Sequence, residues 1–182
     1  MFELKPTQLT GCFELQSKVF EDERGRFVKV FNTQAFKEHG LETDFVEEYY
    51  SVSNNKVVRG MHFQLPPKDH VKVVYCIQGA VLDVVTDLRV GSPTYGRSAV
   101  IELNSVKANS IYIPKGMAHG FCSLCDNSIM VYKVSSIYSP EQDAGILWSS
   151  VGVTWPTTQP ILSARDQTFT PFEKFASPFI YE

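Results

Sequence analysis

The chain has 182 residues, 43% of them apolar and 20% charged, and carries a net charge of -3. That length suits one domain with a real core, the composition is that of a soluble globular protein, and the charge offers no basic field to nucleic acid. No apolar run reaches membrane-spanning length, and Met1-Phe2-Glu3-Leu4-Lys5 lacks the basic and apolar regions of a signal peptide, so a cytoplasmic protein without membrane partners is expected.

Helix is scarce along the chain. The first candidate runs from Thr33 to His39, with Asn32 or Thr33 as its cap and Gly40 as its stop. Val58-Arg-Gly-Met-His-Phe-Gln64 follows as a strand whose apolar neighbours argue for burial. Strict alternation along it would put Arg59 and Gln64 on opposite faces. Val71–Ile77 and Val81–Leu88 read as two strands joined tightly at Gly79. Ala99–Leu103, Ser110–Ile113 and Ile129–Val134 continue the series between turn clusters at Gly91–Gly96, Pro114–Gly116 and Asp126-Asn127. Ser139-Pro140 reads as a cap and first position of a second short helix reaching Asp143. From Pro156 the chain is expected to be irregular and held down by Phe169, Phe172, Phe175 and Phe179. Many short strands at close spacing predict an all-β sandwich or barrel, here a single domain over 1–182.

The four cysteines are Cys12, Cys76, Cys122 and Cys125. Cys122-Ser-Leu-Cys125 has the gap of a zinc knuckle or redox pair, but no second close pair completes a zinc site. The segment also reads as strand, whereas redox thiols are activated at helix starts. Buried or half-buried reduced thiols are therefore expected.

Five further residues bear on chemistry. His62 reads as a buried imidazole beside the fixed charge of Arg59, which suits either a base acting on an anionic ligand or a satisfied core histidine. A small barrel with a histidine-bearing strand raises the metal-binding cupin, and Pro114-Lys-Gly-Met-Ala-His119 fits the later half of its ligand pattern. The earlier half fails, because Gln64 stands where a second imidazole is needed and Lys72 where a carboxylate is needed. An ammonium there repels a divalent cation. An ammonium aimed at a carbonyl oxygen instead stabilises the charge formed when the adjacent C–H is deprotonated, and an imidazole can take that proton. This is enolate chemistry, and no metal or cofactor is expected.

Six motifs in order, Asp22–Phe27, Arg59–Gln64, Leu82–Arg89, Ser92–Gly96, Ile113–Phe121 and Tyr132, carry a resemblance to the dTDP-4-dehydrorhamnose 3,5-epimerase family. These are cofactor-free cupins of the jelly-roll type that act on nucleotide-linked 4-keto-6-deoxy sugars. The resemblance implies His62 as the base, Asp166 as the carboxylate that orients it, Lys72 as the cation at the enolate oxygen and Tyr132 as the opposite-face proton donor. It further implies that Arg24, Arg59 and His119 hold the diphosphate and sugar and that Phe27 and Tyr138 seat the nucleotide. Gln64, Glu47 and Tyr49 count as further substrate-binding positions. A homodimer is implied too, with one subunit's N-terminal part reaching its partner's site.

The departures gather around the ligand. Glu47-Glu48-Tyr49 stands where the family reads Gln-x-Asn, and an acid beside a diphosphate is unfavourable unless paired. Lys29, Asp69-His70, Ser98 and Trp148-Ser-Ser-Val151 depart as well. Residues alone leave Asp83 as a partner for either Lys72 or Arg59. A CDP- or GDP-linked 4-keto sugar, inversion at one carbon only, 3,4-ketoisomerisation and a non-catalytic sugar-nucleotide-binding cupin remain the alternatives.

Overall fold

The computed structural model describes residues 1–181. Six strands form one antiparallel sheet in the order β1 (Phe2–Pro6), β2 (Phe13–Ser17), β10 (Asn109–Ile113), β7 (Lys72–Gln78), β12 (Ser128–Val134) and β5 (Glu47–Ser53). A second sheet runs β13 (Asp143–Gly145), β6 (Val58–Gln64), β11 (Met117–Ser123), β8 (Ala80–Asp87) and β9 (Ser98–Asn104). A separate hairpin pairs β3 (Val19–Asp22) with β4 (Gly25–Val28). This is the all-β architecture expected from the alternating runs, of the cupin-type jelly-roll kind that the resemblance implied.

The sheets face each other across a core that includes Val74, Ile111 and Met130 on one side and Val81, Val85 and Phe121 on the other. Each outer face is covered separately. Helix α1 (Thr33–Glu38), capped by Asn32 as expected, lays the fully buried Phe36 with Leu15, Val73 and Tyr112 of the six-stranded sheet. The irregular tail covers the five-stranded sheet, where Phe172, Phe175 and Phe179 pack with Met61, Phe63, Val84 and Ala118. All four cysteines are free thiols, and Cys12, Cys76 and Cys122 are buried.

Gly79 joins β7 tightly to β8, as expected, and turns the chain from one sheet to the other. Its φ of +80° and the 2.8 Å from a built Cβ to Cys125 Sγ and Ser128 Oγ leave room only for glycine. Ser139–Asp143 is not helical. Pro140 does open a turn, with the Gln142 N–H on Ser139 O at 3.0 Å, but Leu65 N–H takes Gln142 O at 2.8 Å and draws Asp143–Gly145 alongside β6 as a strand.

A second correction concerns β6 itself. His62 lies opposite His119, yet Arg59 lies opposite Phe121, so β6 holds one residue more than β11 over that interval. The bulge falls at Gly60, whose φ is +135° and whose built Cβ would stand 2.5 Å from Gly120 Cα. The extra residue restores Arg59 to the inner face that carries His62 and Gln64, overturning the strict alternation read from the sequence. Met61 and Phe63 meanwhile point outward beneath the tail.

Candidate active site

A cavity of about 370 Å³ opens between the sheets, lined among others by His62, Lys72, Tyr49, Glu47, His70 and Asp143. His62 enters from β6, Lys72 from β7 of the facing sheet, and Tyr132 from β12 beside Val134, which lies opposite Lys72. Tyr132 stacks on the cavity residue Tyr49 with ring centroids 4.8 Å apart and meets His119 edge-on at 6.2 Å. The imidazole and the ammonium thus line one space, and the phenol of Tyr132 is buried behind the Tyr49 ring that shares that lining.

The tail supplies the carboxylate. Asp166, buried in the 3-10 turn Asp166–Thr168, accepts from His62 Nε2 at 2.9 Å and from the Gly60 N–H at 3.1 Å. Its own N–H is held by Ser163 Oγ at 3.0 Å. Burial alone would raise the Asp166 carboxyl, but the hydrogen bonds from His62 and Gly60 outweigh it and hold the group below the ordinary carboxylate value. With Nε2–H committed to Asp166, Nδ1 of His62 is left as the proton acceptor. Burial pulls the imidazole below its usual 6.5, against the opposing pull of Asp166, so it stands neutral.

Lys72 is 6% exposed, and its ammonium donates to His62 O at 3.3 Å. Burial brings it down to about 8, countered by Asp143 and Asp83, so it remains mostly cationic at neutral pH. Tyr132 is pushed strongly upward by burial and stays a neutral phenol, its hydroxyl 3.0 Å from Ser51 Oγ. Tyr49 is likewise pushed up to about 12 by burial, with Glu47 and Asp143 adding to it.

The second histidine has its own acid. His119 Nε2 lies 2.8 Å from Asp83 Oδ2, so Asp83 partners His119 rather than Lys72 or Arg59. Register explains the difference, since Asp83 stands opposite Phe121, two positions along β11 on the same face as His119. Arg59 bridges the sheets instead, donating to Ser53 Oγ at 3.0 Å and Val52 O at 3.1 Å on β5.

Several ligand-side residues have roles that sequence did not reveal. Gln64 forms part of the cavity wall, but its amide is consumed by Lys68 O at 2.7 Å, His70 Nδ1 at 3.1 Å and the Ser139 N–H at 2.7 Å, which makes it a brace. Glu47 is paired after all, its Oε2 accepting the Tyr138 N–H at 2.7 Å. Tyr138 lines the mouth and donates its hydroxyl to Asp143 Oδ2 at 3.2 Å, and Asp143 is ion-paired with Arg165. Arg24 and Phe27 are not brought to this cavity. Both sit on the β3–β4 hairpin, Arg24 bonded to Asp22 and Phe27 61% exposed. Asp143 and Arg165 were not anticipated as cavity residues, and His70 was noted only as a departure near the ligand. Among the described residues no three His, Cys, Asp or Glu side chains gather so as to hold a metal ion.

The profile described as dTDP-4-dehydrorhamnose 3,5-epimerase matches residues 6–174. A Shigella flexneri dTDP-4-dehydrorhamnose 3,5-epimerase is 41% identical over 163 residues, 88% of this chain and 90% of that protein. A Streptomyces niveus dTDP-4-dehydrorhamnose 3-epimerase is 38% identical over 167 residues, 90% of this chain and 81% of the relative. Among solved structures, the Legionella pneumophila dTDP-6-deoxy-D-glucose-3,5-epimerase in complex with dTDP-4-keto-L-rhamnose superposes with a TM-score of 0.95 at 30% identity, covering 100% of both chains.

Proposed function

Because the chain belongs to the dTDP-4-dehydrorhamnose 3,5-epimerase family, we propose that it epimerises a dTDP-4-keto-6-deoxy sugar at C3 and C5 through an enolate. Nδ1 of His62 takes the proton from the carbon beside the 4-keto group, and the resulting imidazolium is stabilised by Asp166. The C–H electron pair passes into the ketone, whose oxygen becomes an enolate held against the Lys72 ammonium. The Tyr132 hydroxyl returns a proton to the same carbon from the opposite face, which inverts it. Solvent then resets both groups, so the cycle is balanced without a redox partner.

The observation that carries this reading is the His62–Asp166 contact of 2.9 Å facing Lys72 and Tyr132 from the other sheet. A base, a cation and a donor on opposed sheets suit inversion, whereas a binding module has no use for a proton donor opposite a base. His119, held by Asp83, and Arg59 are assigned to the sugar and diphosphate, and Tyr138 to the nucleotide. We assign Arg24 and Phe27 to the cavity of a second subunit in a cytoplasmic homodimer. Their exposed hairpin, remote from their own cavity, supports that assignment.

The test is solvent-deuterium incorporation into dTDP-4-keto-6-deoxyglucose, followed by NMR at C3 and C5 with the CDP- and GDP-linked sugars run in parallel. Exchange at both carbons with inverted product is expected for the dTDP sugar. Exchange confined to C3 would make the protein a 3-epimerase, and no exchange with any of the three sugars would remove the epimerase reading.

A further inference from the structure

The segment leaving β12 crosses the mouth of the cavity and is gripped from both sheets. Glu47, at the start of β5 and opposite Val134, accepts the Tyr138 N–H at 2.7 Å. Gln64, on β6 of the other sheet, accepts the Ser139 N–H at 2.7 Å, and its Nε2 lies 3.3 Å from Ile137 O. Tyr138 and Ser139 are therefore tied by two side chains that rise from opposed walls, with Ile137 against one of them. The Tyr138 ring between them is 57% exposed, with only its hydroxyl engaged, on Asp143.

We propose that Glu47 is a positioning residue, which together with Gln64 clamps Ile137–Ser139 and so presents the Tyr138 ring to the nucleotide. The proposal rests on the reading above, in which Tyr138 seats that nucleotide. A carboxylate accepting a backbone N–H forms a strong, charge-assisted bond, and a loop ordered before binding spares the ligand that cost. The same carboxylate opposes an anionic diphosphate by charge. The two effects have opposite signs on removal. Loss of the clamp weakens nucleotide binding, whereas loss of the charge tightens it. Glu47→Gln keeps the acceptor and drops the charge; Glu47→Ala drops both.

The experiment titrates dTDP into full-length wild type, Glu47→Gln and Glu47→Ala by calorimetry. Steady-state epimerisation and hydrogen–deuterium exchange over residues 135–142 of the ligand-free proteins accompany it. Glu47→Ala is expected to bind dTDP about tenfold more weakly, with KM rising in step and kcat within about threefold, while Glu47→Gln binds at least as tightly as wild type. Exchange over 135–142 should accelerate in Glu47→Ala alone. Binding by Glu47→Ala as tight as wild type, or Glu47→Gln as weak as Glu47→Ala, overturns the proposal. Unchanged exchange in Glu47→Ala removes the clamp whatever the ligand. Failure of wild type to bind dTDP overturns the nucleotide assignment instead, and the exchange data still decide the clamp.

Discussion

His62 and His119 stand directly opposite each other across the β6–β11 ladder, and each Nε2 is held by a different buried aspartate, Asp166 for one and Asp83 for the other. One carboxylate comes from the tail and the other from the neighbouring strand β8. Two imidazoles side by side are thereby fixed in separate orientations, so that only one need act as the base.

Asp166→Asn leaves the volume of the side chain but not its charge, and its amide can present the wrong partner to His62 Nε2. We expect kcat to fall about 10²–10⁴-fold, the scale seen when the acid of a His–Asp pair is neutralised. KM should stay within about threefold, because Asp166 does not face the ligand. Asp166→Ala also strands the buried Gly60 N–H and should cost a further ~1–2 kcal/mol of stability, measured by urea unfolding.

The pH profile of kcat/KM should be bell-shaped. Its acid limb lies below 6.5, where His62, lowered by burial, takes on a proton, and its alkaline limb lies near 8, where Lys72 loses its own. Lys72→Met should abolish most activity and, in the residual rate, erase the alkaline limb alone.

Lys72→Met should also stabilise the fold. The folded-state pKa of Lys72 lies near 8 against 10.5 for the free group, so between those values the unfolded chain binds more protons. Wild-type stability from this group therefore rises as pH increases from 8 to 10.5, and at pH 7 its burial cost is present in full. Removing the ammonium should add on the order of 2 kcal/mol at pH 7, read as a rise of ~5 °C in Tm. A lower Tm at pH 7 would show that the fold does not strain against this charge.

Tyr132→Phe removes the donor and leaves the base. Inversion should fall about 10²–10³-fold while wash-in of solvent deuterium at the same carbon falls much less, because His62 can still remove and return a proton from its own side. Equal loss of both would place Tyr132 in deprotonation instead.

Gly60→Ala meets both a φ of +135° and the backbone of Gly120 at 2.5 Å. The bulge cannot survive intact, and a loss of ~3 kcal/mol or more is expected in denaturant titration. In whatever protein folds, Arg59 should swing from the inner face and KM should rise.

Much of the architecture was legible because period-two apolar runs are local. Met130, Tyr132 and Val134 fall on one buried face, as their spacing says. The bulge was not legible, since counting two residues against one needs the partner strand. For the same reason Asp83 could be recognised as buried but not matched to His119. Pro140 misled because it satisfies a turn as well as a helix start, and Leu65, far away in sequence, decided between them. His62, Lys72, Tyr132 and Asp166 were singled out by resemblance, whereas Asp143 owes its place to the short strand β13 drawn alongside β6, and His70 to a segment without period. Glu47 was flagged as an acid needing a partner, but the partner is a backbone N–H, which no sequence pattern records.

The carboxylate on His62 lies beyond the last strand, so a ribosome that has delivered both sheets has not yet delivered Asp166. The same tail that packs Phe172, Phe175 and Phe179 on the five-stranded sheet brings Asp166 to the Gly60 N–H and to His62 Nε2. A cut between Gly145 and Asp166 would therefore spare every strand of both sheets and still part His62 from its carboxylate.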